Sequence, residues 1–387
     1  MIQRPPQSPS ATGAAAVNVL LSATSYPSSP GGWEGQFIRH MVDGLARRDD
    51  LRLSVWLPPG ELARGVLDAA TTSDSRWLRQ LLASGGIAHL LRRNPVRGGL
   101  SALELLRRLR AAHMRSDADL FHVNWLQNAL ALPSDTRPAL VTALGSDMRL
   151  LELPGMQALL RRVFRKRPVV LCPNADWMLQ PLQRAFGDVA DVRVTAFGID
   201  PRWYAVNHRP PIEGPRRWLC VTRLTTTKLG SLFDWGRPHF EGGMRELHLF
   251  GPAQEDIVVP KWVHWHGPAT PEDLCNTWFP HACGLISLSR HAEGRPQVML
   301  EAMASGLPVL ASRIPAHEDI VLHARTGWVC DDPSGLAAGI AAIEDPMRNI
   351  DMGRSAHDWA RQNIGDWDDC AARYAAEYQR LLAPKSP

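Results

Sequence analysis

No stretch of this 387-residue chain runs to 18 consecutive apolar residues, so no transmembrane helix is expected. Residues 1–16 are rich in proline, serine and alanine, carry one arginine and lack an apolar core. They read as a disordered start, and no signal peptide is expected. The six cysteines, at 172, 220, 275, 283, 330 and 370, form no Cys-x-x-Cys. Most sit in apolar runs, as buried reduced thiols of a cytoplasmic protein do. Cys275, His281 and Cys283 have no fourth ligand at usual spacing, and His264 and His266 alternate as on one strand face, so no metal is expected. No Gly-x-Gly-x-x-Gly follows the first apolar run, which argues against a dinucleotide-dependent dehydrogenase. No repeat of solenoid length is present.

What is present is globular. Hydrophobic residues make up 45% of the chain and charged ones 21%, and the length suits two domains. The net charge of +4 is unevenly spread: residues 1–205 carry 25 Lys+Arg against 17 Asp+Glu, and the remainder has an acidic excess. Between Arg76 and Arg115 lie nine arginines and one acid, Glu104, interleaved with Leu78, Leu81, Leu82, Ile87, Leu90 and Leu91. This is the pattern of basic amphipathic helices able to lie on an anionic membrane surface; a solvated basic face is the plainer reading. Nucleic acid is not expected as a partner, because no helix-turn-helix, zinc finger or aromatic RNA-reading motif accompanies the charge.

Short apolar runs at 17–23, 51–57, 119–124, 139–147, 169–173 and 192–196 alternate with helical patterns, one of them at 35–48. A Pro- and Arg-rich stretch at 201–216 precedes a second series at 217–221, 246–250, 263–265, 283–288 and 308–311. Strands alternating with helices predict α/β domains with parallel sheets. The expected division is 17–204 and 205–365, followed by a C-terminal helix within 366–387 whose apolar side holds Trp367, Cys370, Tyr374 and Tyr378.

Candidate chemistry follows the strands, where ligands of open parallel sheets bind. Glu293 and Glu301 are separated by seven residues, with Pro296 where a helix would begin and Gly306 where it would stop. One carboxylate then sits on a loop and the other on the helix. Free N–H groups near residues 295–298 attract phosphate, and carboxylates accept hydrogen bonds from sugar hydroxyls. Arg223 and Lys228, beyond the strand at 217–221, form a pair of cations suited to a diphosphate. Gly31 and Gly32 after the first strand allow close backbone approach.

The stretch from Cys283 through Glu293 and Glu301 to Thr326-Gly-Trp-Val-Cys330 resembles the retaining glycosyltransferases of family 4, the glycosyl transferases group 1. Looser likeness extends over 17–200. There Gly145-Ser-Asp147 resembles the family's His-Gly-x-Asp, with Leu144 in the histidine position, and Asn124 stands where a histidine near the reacting sugar is common. Phe250-Gly251-Pro252 resembles a loop around the nucleotide base, and Gly198-Ile-Asp200 the turn that closes the first domain.

The resemblance implies an α/β GT-B fold, two Rossmann-like parallel-sheet domains facing across a cleft, with the terminal helix crossing back onto the first. It implies a retaining transferase that moves a sugar from a nucleotide-diphosphate donor to an acceptor hydroxyl on a glycan or lipid-linked acceptor, in surface polysaccharide or glycolipid assembly. Glu293, Arg223 and Lys228 would be catalytic. Gly31, Gly32, Asp147, Gly251, Gly294, Arg295, Pro296 and Glu301 would hold the donor. His122 and Asn124 share a strand face and are candidate sugar contacts. No cofactor or metal is implied, and the expected location is cytoplasmic, peripheral on the inner face of the membrane. A nucleotide-sugar epimerase and a non-catalytic nucleotide-sugar-binding protein are the alternative readings.

Overall fold

The computed structural model describes residues 16–29, 32, 34–210 and 213–383. Gly31 and most of the stretch expected to be disordered lie outside the described residues.

Two parallel sheets organise the chain. The first contains β1 (Val17–Ser22), β2 (Leu51–Trp56), β3 (Leu67–Asp68), β4 (Leu120–Asn124), β5 (Ala139–Ala143), β6 (Val169–Pro173) and β7 (Asp191–Val192). Their order is β3-β2-β1-β4-β5-β6-β7. The second contains β8 (Arg216–Val221), β9 (Arg245–Phe250), β10 (Val263–Gly267), β11 (Gly284–Ser287), β12 (Val309–Ser312) and β13 (Gly327–Cys330), ordered β10-β9-β8-β11-β12-β13. Every residue of β4, β5 and β6 is buried, which is why these strands read as unbroken apolar runs. In each sheet the order reverses between a first strand and its neighbour, β1/β4 and β8/β11. A crevice opens at the carboxyl ends there.

The terminal helix Trp367–Leu382 packs on the first sheet rather than the second. Its capping box at Asp366 and Asp369 fixes its start, and the stripe Trp367, Cys370, Tyr374 and Tyr378 is buried. It meets α1 (Gln36–Ala46), whose buried face is Ile38, Met41, Val42 and Leu45. A Cβ on Gly44 would lie 2.8 Å from the Trp367 carbonyl, so the two helices cross almost backbone to backbone. The Trp367 ring stacks on His40 at 5.3 Å and leans on Phe197 at 5.8 Å.

Trp367→Ala is expected to cost about 3–5 kcal/mol of unfolding free energy, in line with large-to-small core changes; a urea titration measures it.

Candidate active site

A cavity of about 1100 Å³ lies between the sheets, just above the ~300–1,000 Å³ usual for ligand sites. The second domain contributes Arg223, Lys228, Gln254, His291, Glu293, Gly294, Arg295 and Pro296 to its wall. The first contributes Phe37, Trp125, Leu144, Asn174 and, from the basic region, His89, Arg92 and Arg93.

Lys228 belongs to the single helical turn Thr226–Leu229, capped by Thr225, whose hydroxyl accepts from the Lys228 N–H at 3.2 Å. Gly230 turns the chain out of it with φ +56°, and a Cβ there would sit 1.8 Å from the Leu288 carbonyl. Only glycine lets this turn nest against the end of β11. The Lys228 ammonium consequently reaches Glu293, with Nζ and Oε2 2.7 Å apart and both side chains largely shielded. Burial pulls Lys228 below its ordinary pKa while Glu293 opposes the shift. Burial pushes the Glu293 carboxyl up, but Lys228 more than offsets it and holds the group below the usual glutamate value. Glu293 is therefore a carboxylate at neutral pH, within ion-pair distance of Lys228. The Ser289 hydroxyl adds a hydrogen bond to Glu293 Oε1 at 3.3 Å. Arg223 projects from the loop after β8 and donates to Gln254 at 3.3 Å. Gly251 makes this pairing of loops possible: its φ is +139°, and a Cβ would fall 1.7 Å from the Thr222 carbonyl.

Other expected residues stand elsewhere. Glu301 does not line the cavity; it sits within the helix Gln297–Ala304, half-buried beside Asp200 and Arg202. Burial and then the Asp200 carboxylate push its pKa up to about 8, with Arg202 opposing. No hydrogen-bond partner for its carboxylate exists among the described residues. His122 is a core residue and not a sugar contact. It is fully buried between Tyr378 Oη at 2.6 Å and Thr142 Oγ1 at 2.8 Å, and burial lowers its pKa to about 3. Asn124 is buried too, its amide donating to the Ser22 carbonyl at 3.3 Å. Asp147 is a brace inside the first domain: its carboxylate accepts from the N–H groups of Leu126 and Leu144, each at 3.0 Å. Gly32 shapes the turn before α1, donating to Ser29 O at 3.0 Å, and lies off the cavity wall.

Arg295 faces away from solvent and ties the domains together. Its guanidinium meets Asp319, with Nε 3.0 Å from Oδ2, and reaches Asp176 of the first domain at 3.0 Å. The Asp176 N–H also donates to Asp319 at 3.1 Å. Trp177 Nε1 donates to Gly294 O at 2.9 Å. Gly294 and Gly145 press together so closely that a Cβ on Gly145 would lie 2.1 Å from Gly294 N. The loop carrying Glu293 is thus part of the interdomain contact.

Trp125 is the wall residue that motif spacing missed. Its backbone has φ +68°, an uncommon strain for an aromatic residue and one that clusters at functional sites. Asn124 holds that bend, its carbonyl accepting from the Asn128 amide at 2.8 Å. Aromatic residues beside strand ends are common, so sequence alone gave no signal for it.

Residues 242–345, about a quarter of the chain, match the profile of the family described as glycosyl transferases group 1. Among curated relatives, the amylovoran biosynthesis glycosyltransferase AmsK of Erwinia amylovora is 28% identical over 199 residues, 47% of this chain and 48% of that protein. A D-inositol 3-phosphate glycosyltransferase of Pseudarthrobacter chlorophenolicus is 35% identical over 137 residues, 35% of this chain and 31% of that protein. The chain thus spans about half or less of the length of these relatives.

The fold matches over nearly whole chains. Sucrose-phosphate synthase from Thermosynechococcus elongatus superposes with a TM-score of 0.68 at 15% identity, covering 95% of this chain and 99% of that one. HepE of Anabaena, in complex with UDP-glucose, gives 0.63 at 16% identity over 94% of this chain and 99% of the other.

Two measurements probe this geometry. A carboxyl whose folded pKa is raised stabilises the protein fully only below its unfolded pKa, near 4.5, and that stability is lost as pH rises toward about 8. Glu301→Gln removes the loss, so the variant should gain roughly 1–3 kcal/mol at pH 8 and show a flatter pH dependence of melting temperature. Asp176→Ala with Trp177→Phe removes the Asp176–Arg295 ion pair and the Trp177–Gly294 hydrogen bond yet leaves Arg295 paired with Asp319. The closed form should lose roughly 1–3 kcal/mol, read as an increased radius of gyration in solution scattering. Residues 242–345 thus carry the glycosyl transferases group 1 profile, and the two domains together have the GT-B fold.

Proposed function

We propose that this protein is a retaining glycosyltransferase that takes a sugar from a nucleoside-diphosphate donor and attaches it to an acceptor hydroxyl, the acceptor being a glycan or lipid-linked glycan in surface polysaccharide or glycolipid assembly. The observation that carries this reading is the meeting of Lys228, Arg223 and Glu293 on one cavity wall beyond the strand ends. The two cations suit a diphosphate, and Glu293 suits the donor sugar. The relatives named above are sugar transferases, which supports the same reaction class.

In the proposed reaction the bond from the anomeric carbon to the diphosphate oxygen breaks, and its electron pair leaves on that oxygen. The acceptor oxygen forms the new bond on the same face, and its proton passes to the departing diphosphate. The sugar carries oxocarbenium-like charge at the transition state, near the Glu293 carboxylate. Arg223 and Lys228 take the growing negative charge of the leaving group, so no metal or cofactor is required. When donor arrives, Lys228 exchanges part of its pairing with Glu293 for phosphate oxygens. Gly294 and Pro296 flank the loop that presents Glu293. Trp125, rather than His122 or Asn124, offers the first-domain surface for a sugar ring.

Described helices include none long and apolar enough to cross a membrane, and we place the enzyme in the cytoplasm, peripheral on the inner face of the membrane. Glu293→Gln and Arg223→Ala should each lower turnover about 10²–10³-fold, measured with a panel of nucleotide sugars and acceptors. Undiminished turnover in both variants would remove the assignment. Donor turnover without any acceptor would favour an epimerase, and nucleotide-induced thermal stabilisation with no turnover a binding protein.

A further inference from the structure

The basic region folds into three helices, α2 (Thr72–Ala83), α3 (Gly86–Arg93) and α4 (Pro95–Arg115). The last two form a hairpin. Asn94 caps α4 by accepting from the Arg97 N–H at 3.0 Å, and Pro95 opens it. Gly98 lets α4 cross α3 closely, since a Cβ there would meet Leu91 N at 2.6 Å.

One face of the hairpin is finished and the other is bare. Leu105 and Leu109 are buried with Leu78 and Trp56. Arg108 pairs with Asp74 at 3.0 Å, and Arg110 donates to the Leu132 carbonyl at 2.8 Å. On the opposite side Val96, Leu100 and Leu103 recur at i, i+4 and i+7, with exposures of 74%, 64% and 66%. Leu91 of α3 joins them at 42%. Arg93 and Arg97, both exposed, stand beside this stripe and have no acidic partner among the described residues.

Aliphatic groups flanked by unpaired arginines fit a surface that is apolar below and anionic above. A protein partner is complementary to such a stripe only if it carries a matching acidic rim, whereas an anionic bilayer presents both layers over any length. Position agrees with this. His89, Arg92 and Arg93 of the same helix α3 line the cavity, so a bilayer under the hairpin would lie at the mouth of the cleft.

We propose that the outer face of the α3–α4 hairpin docks on an anionic lipid bilayer, inserting Leu91, Val96, Leu100 and Leu103 among the headgroups and delivering an amphiphilic acceptor along α3 to the cleft. Delivery rests on the transferase reading above; docking does not, since it needs neither donor nor turnover. It takes the membrane expectation from the composition of a segment to a defined face.

The test is vesicle sedimentation of the full chain. At about 0.1 M salt the protein should pellet with phosphatidylcholine vesicles containing about 30% phosphatidylglycerol, and should be released near 0.5 M, where screening shortens to a few ångströms. Pure phosphatidylcholine should retain little of it. Arg97→Glu, and separately Leu100→Gln with Leu103→Gln, should each weaken partitioning about tenfold or more. Both should keep the wild-type melting temperature and wild-type transfer to a soluble acceptor. Equal partitioning into neutral and anionic vesicles, or into neither, overturns the docking face. So does a wild-type dimer that Leu100→Gln with Leu103→Gln converts to monomer, because the face then belongs to a second copy. Glu293→Gln separates the two readings: it should abolish transfer and leave vesicle binding intact.

Discussion

The rest of the site depends on one buried guanidinium. Arg295 follows the putting-together of a loop that has almost no room to move, with Gly294 and Gly145 in backbone contact and Asp319 and Asp176 on either side of the cation. A buried arginine that lost both carboxylates would stand as an uncompensated charge, at a cost of several kcal/mol. The loop is accordingly held where Glu293 can meet Lys228. The two sheets supply the frame, but their separation at the cleft is set by this network. A cavity of this size is a consequence of closing the domains at one corner and leaving the other open.

Much of the frame was legible in the chain because parallel strands buried on both faces announce themselves as apolar runs. The run at 169–173 coincides with β6 to the residue, while the run read at 139–147 starts with β5 but overshoots its end at Ala143, where Gly145 turns the chain. β3 was not legible, since two exposed residues, Leu67 and Asp68, carry no periodicity. β13 was read as part of the Thr326-Gly327 turn: it opens on Gly327, which is needed there because a Cβ would approach Val309 O to 2.4 Å.

The site was legible by half for a related reason. Spacing along one helix and one loop announces Glu293, Arg223 and Lys228, whose partners lie close in the second domain. It does not announce which way a side chain turns. Residues 122 and 124 share a strand face, yet that face looks into the core, where Tyr378 and Thr142 occupy both nitrogens of His122. Arg295 is in the cavity wall and also holds Asp319 and Asp176, a pairing that spacing could not announce because the partners come from 24 and 119 residues away. Trp125 owes its place on the wall to a strained backbone, a property no residue type declares.

The bond between His122 and Tyr378 joins residues 256 positions apart. During synthesis β4 therefore waits for the helix that completes its surroundings. At about 5–20 residues per second the interval is roughly 10–50 s, far longer than collapse of the strands themselves. Through that time the face of the first sheet that will receive Trp367, Cys370, Tyr374 and Tyr378 stays uncovered. The second domain is translated in full before the first can close. The nascent chain thus passes through a stage with one completed domain and one open apolar face, and that stage is where holding by a chaperone has something to hold.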